Sequence, residues 1–294
     1  MNYSRYVLMF LFLTVFVFSN AYAQEDVLRP HGKKATTEEA DWSYKRNPII
    51  IGVEAGLNIN LFNQEIIWNV PDGYPHGTMW DGLKSASGIS PHFGVMVDIP
   101  INKTFDFQLR AAYDIKNYGV NVDGTDIDKY GSEWPMNLKV DVASSYITLT
   151  PLLRINATDK LFFTVGPTFH FLAGDIETTW NPTSTNGITQ LNDYPFWNNQ
   201  FPVGATTGTI VENESPIQKS TRIGIEGGIG YIIPLSKSIF LVPQGRFQYM
   251  LTPVTSDIVV PFYDVQSGNI IGNETSANRM LHSLQLALAL WFEI

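Results

Sequence analysis

Apolar and polar residues alternate along most of this chain, and in eight stretches the apolar set carries no charge. The last stretch is the clearest. Leu284, Leu286, Leu288, Leu290, Phe292 and Ile294 form one face, and Gln285, Ala287, Ala289, Trp291 and Glu293 lie between them. A period of two is that of a β-strand, so each stretch predicts a strand with one wholly apolar side. A water-soluble sandwich could bury such sides. Eight of them behind an export signal instead predict an all-β, eight-stranded antiparallel up-and-down transmembrane barrel.

The pattern places the strands at residues 48–60, 89–99, 104–116, 140–155, 161–173, 219–233, 238–251 and 280–294. The connections between them alternate in length. Three are tight turns, near Asn102, near residues 156–159 and near residues 235–237. Four are long, at residues 62–88, 117–138, 174–218 and 252–278. Segregated loop lengths are the layout of an outer-membrane barrel, with short periplasmic turns and long extracellular loops. Pro91, Pro151, Pro167 and Pro243 fall within strands on the outward parity. A closed barrel offers no free edge for a residue lacking an N–H, so bulges or shifted strand boundaries are expected there.

Composition narrows the picture further. Arg5 is the only charge in the first twenty-three residues, an apolar run covers 8–18, and Ala21-Tyr22-Ala23 provides a small-residue cleavage site. Residues 1–23 therefore read as a signal peptide. Residues 24–46 are polar, aperiodic and balanced between five acids and five bases, and read as a flexible periplasmic leader. The barrel is expected over 47–294. The chain has no cysteine, which excludes disulfides and thiolate metal sites. Its formal charge of −9 without basic clusters argues against nucleic acid as a partner. The four long connections carry −2, −3, −5 and −3 in chain order, so the acidity is concentrated at one rim.

The inward parity collects the charges: Glu54, Asp98, Asp106, Arg110, Arg154, Arg222, Glu226 and Arg246. An eight-stranded lumen is about wide enough to be filled by side chains, so these groups are expected to pair with one another as a lumen charge network. The alternative is a narrow ion path. His92 and His170 share that parity with Glu54 and Asp98, and Ser90 is near in sequence. A metal site or a lipid-hydrolase triad is conceivable from the residue types, but no motif spacing supports either. Trp68, Trp80, Trp134, Trp180, Tyr194, Phe196 and Trp197 lie in the long connections. They either stack on a partner or pack the loops and the membrane interface. Asp123, Asp126 and Asp128 cluster without calcium-loop spacing.

The segments YITLTPLLRINATDKLFFTVGPTFHFLAG, from Tyr146 to Gly174, and RIGIEGGIGYIIPLSKSIFLVPQGRFQYML, from Arg222 to Leu251, carry a resemblance. A strand with an internal proline ends in a tight turn, and an aromatic strand with Gly-Pro follows. A glycine-rich strand then turns through Pro-Leu-Ser-Lys into one bearing Arg246 before Phe247. In this the chain resembles the PorT-like outer-membrane β-barrel proteins of Bacteroidota, a porin-family small barrel. The resemblance implies an eight-stranded barrel in the outer membrane. The connection at 174–218 exceeds the length that the resemblance implies. The expected role is structural, an interaction protein rather than an enzyme, needing no cofactor and no catalytic or metal residues. Outer-membrane lipid and other envelope or secretion proteins are the expected partners. A narrow channel and a lipid-modifying enzyme are the alternatives.

Overall fold

The computed structural model describes residues 48–69, 78–128, 132–194, 197, 200–213, 218–263 and 270–294. The expected signal peptide and leader lie outside the described residues, as does Phe196. The strands are β1 (Ile50–Asn69), β2 (Ser85–Pro100), β3 (Phe105–Ile115), β4 (Tyr118–Ile127), β5 (Glu133–Ala143), β6 (Ser145–Asn156), β7 (Leu161–Leu172), β8 (Glu177–Ser184), β9 (Ile210–Asn213), β10 (Thr221–Tyr231), β11 (Ile233–Pro234), β12 (Ile239–Met250), β13 (Ile258–Tyr263) and β14 (Ile270–Glu293). Eight of them form a closed antiparallel barrel in the order β1-β14-β12-β10-β7-β6-β3-β2, and β2 pairs back with β1.

The parity read from the sequence holds around the ring. Ile51, Val53, Leu57, Ile89, Phe93, Val95, Ile147, Leu149, Ile223, Ile225, Phe247, Leu286 and Leu288 are exposed on the outer wall. Every charge assigned to the inward parity is buried. A Lys or Arg at mid-bilayer on the outer wall would cost about 2–4 kcal/mol, which is why the outer set is uncharged.

The prolines are handled differently from the expectation. Among the described residues, the register shifts at Asn63/Glu65 and at Phe262/Tyr263, not at a wall proline. Each wall proline keeps register with one neighbour and faces a gap or an end of the ladder on the other. Pro151 pairs in step with Leu109, while the β6–β7 pairing lapses between Leu149/Phe169 and Leu153/Val165. Pro167 pairs with Ile225 and faces the same lapse from the other side. Pro243 pairs with Leu288 where the β10–β12 pairing stops, and Pro91 pairs with Leu57 just beyond the end of the β2–β3 pairing. The missing N–H therefore falls where no hydrogen bond is made. Gly166 permits the close approach at the lapse: a Cβ there would sit 2.2 Å from the Pro151 carbonyl oxygen.

The largest correction concerns the long connections, which are built rather than irregular. β1 continues to Asn69 and β14 begins at Ile270, well beyond the expected strand ends. β4 and β5 prolong β3 and β6 beyond breaks at 116–117 and Ser144, and β8 and β9 add to that sheet. All four connections contribute to one apolar core. Phe62 and Leu83 come from the first, and Tyr118, Val122, Met136 and Leu138 from the second. Ile176, Leu191, Tyr194 and Trp197 come from the third and Val254 from the fourth, with Leu281 of β14 beneath. Together these connections make a folded cap at the loop rim.

Candidate functional site

Among the described residues the lumen holds the densest collection of buried charged groups. Its strands set the order of layers from the turn rim upward. Next to the turns, Arg154 on β6 reaches Asp98 on β2 at 3.0 Å and bonds Asp106 on β3 through Nε at 2.8 Å and through Nη2. Asn156 also donates to Asp106, at 2.7 Å. The Arg154 guanidinium lies 5.1 Å from the Trp291 ring centre and 5.4 Å from that of Phe162. Those rings, with Met96, Val242 and Ala289, form a small apolar layer across the lumen.

Glu54 is the hub of the middle layer. It accepts from Arg246 at 3.0 Å, bonds His92 Nε2 at 2.7 Å and faces Arg110 Nε at 3.6 Å. Arg110 also pairs with Glu226, which accepts from Gln248 at 3.0 Å. His92 Nδ1 bonds Asp114 at 2.6 Å, and Asn58 and Gln285 donate to the same carboxylate at 3.2 and 3.1 Å. Every one of these groups is buried. Breaking such a pair is costly because one ion is left uncompensated in a poorly solvating interior.

The expected network is therefore assembled for Glu54, Asp98, Asp106, Arg110, Arg154, Glu226 and Arg246. Arg222 is the exception. It is buried and donates to the Leu281 carbonyl at 3.0 Å, with no carboxylate within ion-pair distance among the described residues. Asp114 and Lys116 complete the network but were not singled out as site residues in the sequence. Asp114 follows the inward parity of Asp106 and Arg110. Lys116 follows it too, as the last residue of the strand expected at 104–116 and one residue past the end of β3.

The hydrolase constellation does not form. Ser90 Oγ donates to the Ile115 carbonyl and accepts from Asn60 at 2.8 Å, while His92 is held between Glu54 and Asp114. His170 stands apart, bonded through Nε2 to Thr168 at 3.1 Å. Among the described residues no group of three or more His or carboxylate side chains is arranged to hold a metal ion. Asp123 accepts from Asn137 at 2.8 Å, and Asp128 accepts from the Ser132 backbone and Trp134 Nε1, both at 2.8 Å. These carboxylates organise the β4–β5 hairpin.

The loop aromatics divide. Tyr194 and Trp197 are wholly buried in the cap core, so they are not partner-facing rings. Burial also pushes the Tyr194 phenol up. Trp180 is half-buried, its ring centre 6.3 Å from that of Trp197. Trp134 is 36 % exposed. Trp68 lies on β1 and Trp80 in a 3-10 helix at Thr78–Lys84. The exposed apolar residues of the third connection are aliphatic instead: Val203 at 92 %, Ile188 at 81 % and Val211 at 58 %. Val203 and Ile188 lie within four residues of turn-forming glycines at Gly204 and Gly187, both with positive φ.

Comparison with known protein families agrees with this architecture. The model of the outer membrane protein beta-barrel domain family matches residues 37–256. A search of the curated proteins finds no match. Among solved structures, the chain is similar to Neisserial surface protein A, at 10 % identity over 83 % of this chain and 97 % of that one, with a TM-score of 0.30. It is similar to the outer membrane protease OmpT from Escherichia coli at 10 % identity over 86 % and 98 %, with a TM-score of 0.34. The outer membrane protein OprG from Pseudomonas aeruginosa follows at 7 % identity over 83 % and 96 %, with a TM-score of 0.30.

Proposed function

The chain belongs to the outer membrane protein beta-barrel domain family and resides in the outer membrane, and from that premise we propose that it is a closed scaffold rather than an enzyme or a pore. The barrel holds a folded cap at the outer surface and presents it to a protein partner of the cell envelope or secretion machinery. One observation carries this reading: all four long connections contribute to a single apolar core seated over a lumen filled by paired ions. A conducting pore needs a continuous polar path, and the charges that would line it, Arg222 apart, are engaged with each other. Loops serving only to join strands would not need a core of their own.

The contact face is assigned to the third connection, where Ile188, Val203 and Val211 are exposed. The test combines two measurements on the full-length protein. In planar bilayers the purified barrel is expected to show no steady conductance. In mild-detergent purification after cross-linking, a stoichiometric envelope partner is expected for the native protein and is lost in the Ile188→Asp, Val203→Asp double variant. Heat-modifiable migration on gels shows that the variant still folds. Steady conductance, or a partner retained by the double variant, overturns the reading.

A further inference from the structure

Two inward-facing glycines reshape the lumen between the turn rim and the Glu54 layer. Gly52 on β1 is the cross-strand partner of Trp291 on β14, and Gly230 on β10 is that of Phe162 on β7. A Cβ at Gly52 would lie 2.7 Å from Trp291 Cδ1, and one at Gly230 would lie 2.1 Å from Phe162 Cζ. Each ring therefore covers bare backbone on the neighbouring strand and fills space that a side chain there would take. The ring centres stand 5.3 Å apart, within the range of a favourable aromatic pair. Met96, also paired with Gly52, joins Val242 and Ala289 in the same cluster. All five side chains are buried.

The chemistry changes on either side of this layer. On the turn side, a cavity of about 440 Å³ is lined by Asp98, Lys103, Asp106, Arg154 and Asn156, and by Trp291 itself. Arg154 lies over both rings there and is held by Asp98 and Asp106. On the cap side, one inward position beyond Gly52, Glu54 gathers Arg246, Arg110 and His92. Both neighbouring layers are ionic, and their groups can exchange a partner for water. The rings between them offer an ion no group to replace its hydration shell, and a narrow apolar constriction excludes water as well.

We infer that the layer of Trp291 and Phe162 is the permeability barrier of the barrel, sealing the lumen against ions from the turn side. The inference rests on the closed-scaffold reading and names the place where a continuous polar path is interrupted. Charged side chains fill a lumen without sealing it, because water that reaches them raises the local dielectric and lowers the cost of a passing ion. Gly52 and Gly230 belong to the same device, since a larger side chain at either place would push a ring out of its position.

The test uses the full-length protein in planar bilayers, with potassium chloride as the probe. The Phe162→Ala, Trp291→Ala double variant is expected to pass a steady current that the native barrel lacks. The Glu54→Gln, Arg246→Gln double variant, which discharges the hub of the middle layer and keeps the rings, is expected to stay silent. Adding Gly230→Phe to the ring variant returns an aromatic group to the same space from the opposite strand and should reduce the current. Heat-modifiable migration shows which variants fold. If either double variant does not, single cysteines in the otherwise native chain decide, because the sequence has none of its own. Asn156→Cys, in the cavity on the turn side, should react with a charged thiol reagent, and Thr164→Cys, one inward position beyond Phe162 on β7, should not. A folded ring variant that stays silent, a middle-layer variant that conducts, or equal labelling of the two cysteines overturns the inference. A native barrel that itself conducts overturns the closed-scaffold reading with it, so the two failures are told apart.

Discussion

The barrel wall and the cap are built from one continuous set of strands, yet they bury opposite chemistries. On β6 the buried positions include Thr148, Thr150 and Arg154, while Ile147, Leu149 and Leu153 are exposed. A few residues earlier, β5 buries Met136, Leu138, Val140 and Val142 and exposes Glu133 and Lys139. The inversion falls at Ser144, and the matching break on the partner strand falls at 116–117. The strand period is the same on both sides of the break, and only the surrounding solvent differs. In hydrocarbon the outer face must be apolar and the polar groups turn inward to satisfy one another. In water the hydrophobic effect restores the ordinary arrangement. The break therefore marks where the polypeptide leaves the membrane, and it does so by chemistry rather than by a change of secondary structure.

Three substitutions test that contrast, from the largest expected effect downward. Replacing Glu54 with alanine removes the acid shared by Arg246, His92 and Arg110, and leaves buried cations uncompensated. A loss of about 3–5 kcal/mol in global unfolding is expected, read by denaturant titration in lipid vesicles. An unchanged midpoint would show that the lumen network adds little to the barrel. Next, Leu149→Arg places a cation on the outer wall and should cost about 2–4 kcal/mol in the same assay. A neutral result would mean that this face does not meet lipid. Smallest of all, Lys139→Leu on the exposed face of β5 should change stability by less than about 0.5 kcal/mol, because that side already meets water. A large change there would move the membrane boundary into the cap.

The eight wall strands, their inward and outward faces and the tight turns were legible in the sequence, because alternation is a local property that a lipid solvent imposes residue by residue. The resemblance to PorT-like barrels pointed the same way, and the outer membrane protein beta-barrel domain family match supports the coarser statement. The cap was harder to read. Met136, Leu138, Val140 and Val142 repeat with the same period of two, but a pattern buried against water-facing loops looks like a continuing wall strand or like no strand at all. Tyr194 and Trp197 illustrate the ambiguity, since an aromatic ring in a polar loop is equally compatible with exposure and with a local core.

The chain by itself determined which side of each strand is oily and how many times the backbone crosses. Those outcomes depend only on near neighbours along the polypeptide and on the medium. Only the closed barrel decided that Glu54 meets Arg246, a residue 192 positions away, that Arg154 holds two acids and that Arg222 holds none. Such pairings follow from which strands close the ring and at what register. Side chains brought together across a lumen leave no mark in the order of residues along any one strand.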